Sequence, residues 1–103
     1  MEDMLIGDWK VISVSYKNET DQQKGLSDAF YGMYVGEIKE FRKGKTRWKK
    51  SKSFANYTLN IKDSTLLFSH GKIKILELNS RKLITQENIL NKELITEFER
   101  VED

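Results

Sequence analysis

The stretch Leu5-Ile6-Gly7-Asp8-Trp9-Lys10-Val11-Ile12-Ser13-Val14-Ser15-Tyr16 is a short apolar lead-in, a glycine, a tryptophan and then a run rich in β-branched residues. Valine and isoleucine lose side-chain freedom in a helix and pack well on a pleated surface, so the run predicts a first strand with an aromatic plug at its start. Trp9, Val11, Ser13 and Ser15 alternate with Lys10, Ile12, Val14 and Tyr16, which leaves apolar character on both faces. The segment before Gly7 has room for a single helical turn.

Outward from this strand, residues 17–29 are the most polar part of the chain and lead into the aromatic cluster Phe30, Tyr31 and Tyr34. A long loop with a short helical turn fits best, and loops of this length in small domains are often functional. From Glu37 onward the punctuation is regular. A run through Phe41 meets the turn Lys43-Gly44-Lys45, a second run carries Trp48, and Asn56 to Lys62 alternates cleanly, with Tyr57, Leu59 and Ile61 on one face. Asp63-Ser64, Ser69-His70-Gly71, Asn79-Ser80-Arg81 and Asn91-Lys92 separate the remaining apolar runs. A helix over residues 72–90 is the competing reading, because Ile73, Leu76 and Leu83 can share a helical stripe, but Asn79-Ser80 interrupts it. Short strands at this spacing predict an all-β fold, an antiparallel up-and-down barrel of about eight short strands.

With 103 residues there is room for one domain, spanning 1–103, and one core. Apolar residues make up 38% and charged residues 33%, and no apolar run approaches the roughly 20 residues of a membrane span, so a soluble chain is expected. The absence of cysteine removes disulfides, thiolate nucleophiles and cysteine metal sites, and fits a reducing compartment. Met1-Glu2-Asp3-Met4 lacks the basic and apolar regions of a secretory signal, which points to the cytoplasm. Proline is also absent, so every backbone N–H is available to a hydrogen-bonded ladder.

Candidates for chemistry are few. The single histidine, His70, lies in a hairpin turn where solvation is the simplest reading, and nothing marks Ser69 as activated. Asp63, Glu77 and Glu87 show no metal-ligand spacing, Glu97 and Glu99 share a strand face as solvated carboxylates do, and the six glycines form no phosphate loop. No catalytic residue, metal site or cofactor is expected. The charge pattern is more informative: residues 39–52 hold eight of the eighteen basic residues against one acid, about +7, leaving about −5 on the remainder. Such a hairpin either guards a solvent-facing edge or meets an acidic protein surface. Nucleic acid and anionic lipid rank behind these.

Gly7-Asp8-Trp9 resembles the Gly-x-Trp signature at the first strand of lipocalins, and the pattern of small bacterial lipocalin-like domains recurs in order along the chain. Phe41-Arg42-Lys43-Gly44-Lys45 resembles their Phe-x-x-Asp-Gly-Thr hairpin, with Lys43 where aspartate is usual. Tyr57-x-Leu59-x-Ile61 with Leu66-x-Phe68 resembles the central hairpin, and Phe98-Glu99-Arg100-Val101 the closing Phe-x-Arg-Val. The resemblance implies a barrel whose closed end holds Trp9 under Arg100, with the long loop after the first strand over the open mouth. Typical lipocalins are longer, secreted and disulfide-linked, whereas this chain has 103 residues and no cysteine.

Two functions follow as expectations. In the first, a small apolar ligand sits at the barrel mouth against Phe30, Tyr31, Tyr34, Trp48, Tyr57, Leu59 and Phe68. In the second, Arg42, Lys43, Lys45, Arg47, Lys49, Lys50 and Lys52 dock an acidic protein partner, as an inhibitor, an immunity-type protein or an assembly accessory. A barrel edge left open would pair with a second copy to give a homodimer.

Overall fold

A computed structural model of the protein describes residues 2–17, 31–69, 71–89 and 92–102. One helical turn, α1 (Glu2–Leu5), precedes strands β1 (Gly7–Tyr16), β2 (Ile38–Arg42), β3 (Lys45–Trp48), β4 (Ala55–Asn56), β5 (Thr58–Asn60), β6 (Thr65–Phe68), β7 (Gly71–Leu78), β8 (Lys82–Ile89) and β9 (Lys92–Arg100), with a 3-10 turn at Gly32–Tyr34 before β2. The span 72–90, where helix competed with strand, is β7 and β8. His70 and Phe30 lie outside the described residues.

All nine strands form one antiparallel sheet in the order β4-β3-β2-β1-β9-β8-β7-β6-β5. Its two ends, β4 and β5, are consecutive in the chain with only Tyr57 between them. They are the halves of one bent strand, one half paired with β3 and the other with β6, so the sheet curls into a nearly closed barrel of eight staves. Tyr57 holds this corner: its N–H donates to the Gly44 carbonyl at 2.9 Å and its hydroxyl to the Arg42 carbonyl at 2.7 Å.

Inward-facing side chains form rows across the wall. Val11, Phe98 and Leu83 are cross-strand partners, as are Val14, Thr96, Thr85 and Ile75, then Tyr16, Leu94 and Glu87. The strict alternation expected in β1 does not hold, because a register shift between Val11 and Ser13 makes Ile12 an extra residue. Such a bulge turns the next side chains over, so Val14 is buried with Trp9 and Val11 while Ile12 is left exposed. The same device in β7, between Ile75 and Glu77, leaves Leu76 outside.

The closed end is built on Trp9, which is fully buried, its indole N–H donating to the Leu5 carbonyl at 2.8 Å. Arg100 lies over the Trp9 ring at 4.3 Å. Its guanidinium donates to the carbonyls of Ser80 at 2.8 Å, Ile6 at 3.1 Å and Met4, tying α1 and the β7–β8 turn to the end of β9. A cation over an indole is worth about 0.5–2 kcal/mol depending on desolvation. Gly7 is the glycine this arrangement requires: its φ is +137°, and a Cβ there would stand 2.5 Å from Arg100 Nη1.

Gly7→Ala should therefore destabilise the protein by about 1–3 kcal/mol in urea unfolding. In an Arg100→Ala background the collision disappears and only the backbone cost stays, so the same substitution should cost measurably less there. Equal costs in the two backgrounds would contradict the steric part of this account.

Candidate functional site

The end of the barrel away from Trp9 holds a cavity of about 370 Å³. Its walls are Val14 from β1, Trp48 from β3, Phe68 from β6, Ile73 from β7, Thr85, Glu87 and Ile89 from β8, and Leu94, Thr96 and Phe98 from β9. Tyr31 and Tyr34, from the segment leading into β2, Lys39 from β2, Thr46 and Arg47 from β3, and Ser51, Ser53 and Ala55 beyond it complete the lining. Tyr34 stacks on Trp48 with centroids 5.0 Å apart, and Tyr31 meets Tyr16 edge to face at 6.1 Å. Burial and the neighbouring Tyr16 raise the Tyr31 phenol above its ordinary value.

Of the residues expected at a ligand site, Tyr31, Tyr34, Trp48 and Phe68 line this cavity. Tyr57 and Leu59 do not. Tyr57 is buried at the strand corner between Phe41 and Phe68, and Leu59 packs against the core on the short β5. Tyr57 and Leu59 share the inner face that their alternation predicts, whereas Ile61, expected with them, falls in the turn after β5 and is exposed; the barrel bends at Tyr57 and carries both inner residues away from the mouth.

Two charged residues in the cavity wall were not anticipated. Lys39 belongs to the basic hairpin by sequence, yet it is the cross-strand partner of both Trp9 and Trp48 and so faces inward. Its ammonium lies 5.0 Å over the Trp48 ring and 5.7 Å over Phe41. Burial pushes the Lys39 ammonium below the usual lysine value, and the charge of Glu87 opposes this. Period two would have found both residues: Lys39 is two before the core residue Phe41, and Glu87 two after the buried Thr85.

The remaining basic residues serve mainly to organise the hairpin itself. Glu40 is on the outer face, its side chain only 6% exposed, and receives Arg42, Arg47 at 3.1 Å and Lys49 at 3.4 Å. Lys49 also reaches Asp8 at 3.4 Å, and Lys50 pairs with Glu37 at 3.4 Å. Arg42, Lys45 and Arg47 crowd the Phe54 ring at 5.3, 4.9 and 4.8 Å. Of the seven cations expected to dock a partner, only Lys43 and Lys52 are exposed with no ion pair or ring contact among the described residues.

Burial pushes the Glu40 carboxyl up, but hydrogen bonds from Arg42 and Arg47 and the charges of Arg42 and Lys49 outweigh it and hold the group at about 2, against an ordinary 4.5. A depressed carboxyl contributes stability that is fully present above its unfolded value and is lost as pH falls through the folded one. Among the described residues no group of three His, Asp or Glu side chains is placed to hold a metal ion, and no helix is long and apolar enough to cross a membrane.

Two outcomes are expected. Urea midpoints should fall between pH 4.5 and 2 more steeply for the native chain than for Glu40→Gln, which should itself cost about 1–3 kcal/mol at neutral pH. Charge reversal at Lys43 and Lys52 should change stability by less than about 0.5 kcal/mol, whereas reversal at Lys49 breaks two ion pairs and should cost more, both read by the same unfolding titration.

No protein-family model matches the chain, and no curated protein or solved structure matches it.

Proposed function

We propose that this protein is a non-enzymatic binding module that takes a small, mainly apolar ligand into the barrel mouth. The observation that carries the reading is the cavity of about 370 Å³. That volume is within the roughly 300–1,000 Å³ typical of small-molecule sites, which are also mostly apolar with a few placed polar groups. Its walls follow that pattern: Trp48, Tyr34, Phe68, Ile73 and Leu94 supply apolar surface, and three threonines, two serines, Lys39, Arg47 and Glu87 supply polar atoms. Burying apolar ligand surface there is worth about 25 cal/mol per Å². The resemblance to small lipocalin-like domains supports the same reading.

Docking of an acidic protein through the hairpin has less support, since five of its seven cations are already engaged by Glu40, Asp8, Glu37 or Phe54. A solvated basic surface attracts an acidic partner. Here three carboxylates already offset part of the charge of the seven cations and fix the side chains that carry it, which weakens the attraction.

The test is a fluorescence titration with N-phenyl-1-naphthylamine, a neutral apolar probe. Saturable enhancement at one probe per chain is expected, and Val14→Trp or Ile73→Trp, each filling the cavity, should weaken binding at least about tenfold while the far-ultraviolet circular dichroism remains that of a β protein. Absence of saturable enhancement, or unchanged affinity in both folded variants, overturns the reading.

A further inference from the structure

We infer that the natural ligand of the cavity is a zwitterion: a small molecule with an apolar or aromatic body that carries a carboxylate and an ammonium close together, as a free apolar amino acid does. The inference rests on the binding-module reading above and specifies the chemistry of its site. Lys39 on β2 and Glu87 on β8 are both part of the cavity wall. Strands β1 and β9 separate them around the sheet, so they approach the interior from different sides.

Neither has an ion pair within 4.0 Å or a hydrogen bond among the described residues, and in particular they do not pair with each other. Both are half-buried, and a charged group partly withdrawn from water costs more when no opposite charge is in contact with it. The cation sits over Trp48 and Phe41 instead of a carboxylate. A barrel that needed only to fill its interior would place aliphatic residues at these two positions. A plain carboxylate ligand would satisfy Lys39 and be repelled by Glu87, and an amine would meet the reverse. A zwitterion satisfies both at once and leaves its body to the aromatic wall formed by Trp48, Tyr34 and Phe68.

The test is calorimetric titration of the full chain with four probes on one frame: L-phenylalanine, 3-phenylpropanoate, 2-phenylethylamine and 3-phenylpropan-1-ol. Phenylalanine should bind at least about tenfold more tightly than the other three, the scale of one charge-assisted hydrogen bond. Lys39→Met should abolish its advantage over phenylethylamine and leave phenylpropanol within about threefold of its native affinity. Glu87→Gln should abolish its advantage over phenylpropanoate in the same way. A singly charged or neutral probe that equals phenylalanine overturns the inference, and so does a uniform loss of all four in both variants, which would mark Lys39 and Glu87 as structural. If none of the four binds while the naphthylamine probe still does, only the zwitterion inference fails. If the naphthylamine probe fails too, the cavity reading falls with it.

Discussion

The contact of Arg100 with Trp9 is the constraint on which the rest of the barrel depends. It is made at the far end of β9 against the first residues of β1, so it can form only when the two strands lie side by side. The three carbonyls that accept from the guanidinium come from α1, the residue before β1 and the β7–β8 turn. One planar cation thereby covers the indole and satisfies backbone groups that a closed barrel end would otherwise leave without partners. Gly7 belongs to the same arrangement, since its missing side chain is the space the guanidinium occupies.

With one end closed by packing, the opposite end is free to be wide. The two bulges, at Ile12 and Leu76, rotate the following side chains and bring Val14 and Leu78 onto the inner side. Threonine at positions 46, 65, 85 and 96 is buried, and Thr85 and Thr96 face each other across β8 and β9. These short polar side chains fill less space than leucine would, which helps leave room above Phe98 and Leu83. The cavity is thus a consequence of residue size in the upper rows as much as of strand number.

The outer charge network has a different role. Glu40 lies opposite Arg47 across the β2–β3 pair and gathers Arg42 and Lys49 besides. A hairpin with so many like charges repels itself, and one shielded carboxylate with an aromatic ring at Phe54 offsets part of that. What a linear count shows as a basic patch is in part an internal brace near the barrel seam, three carboxylates offsetting some of its seven cations.

Much of the fold was legible in order. Strand positions after Glu37, the turn at Lys43-Gly44 and the preference for strand over helix in residues 72–90 all follow from local period and turn chemistry, because those signals act within a few residues. The first-strand Trp9 and Arg100 near the chain's end could be related only through a family resemblance, and their contact is a fact of three dimensions. Parity within β1 is not legible in the sequence because a bulge has no sequence mark here, Ile12 being as good a strand residue as its neighbours. Alternation says which side of a sheet Tyr57 and Leu59 face, not how far along a bent barrel they lie, so their distance from the mouth is not legible in it. Lys39 and Glu87 were passed over because a charged residue is solvated by default, and only the closing of the sheet brings both to one interior. The chain by itself determined which segments are strands and where they turn, since those are near-neighbour preferences. Tertiary structure alone decided which of their faces enclose space and which charges stand in it, since enclosure depends on the pairing of β1 with β9.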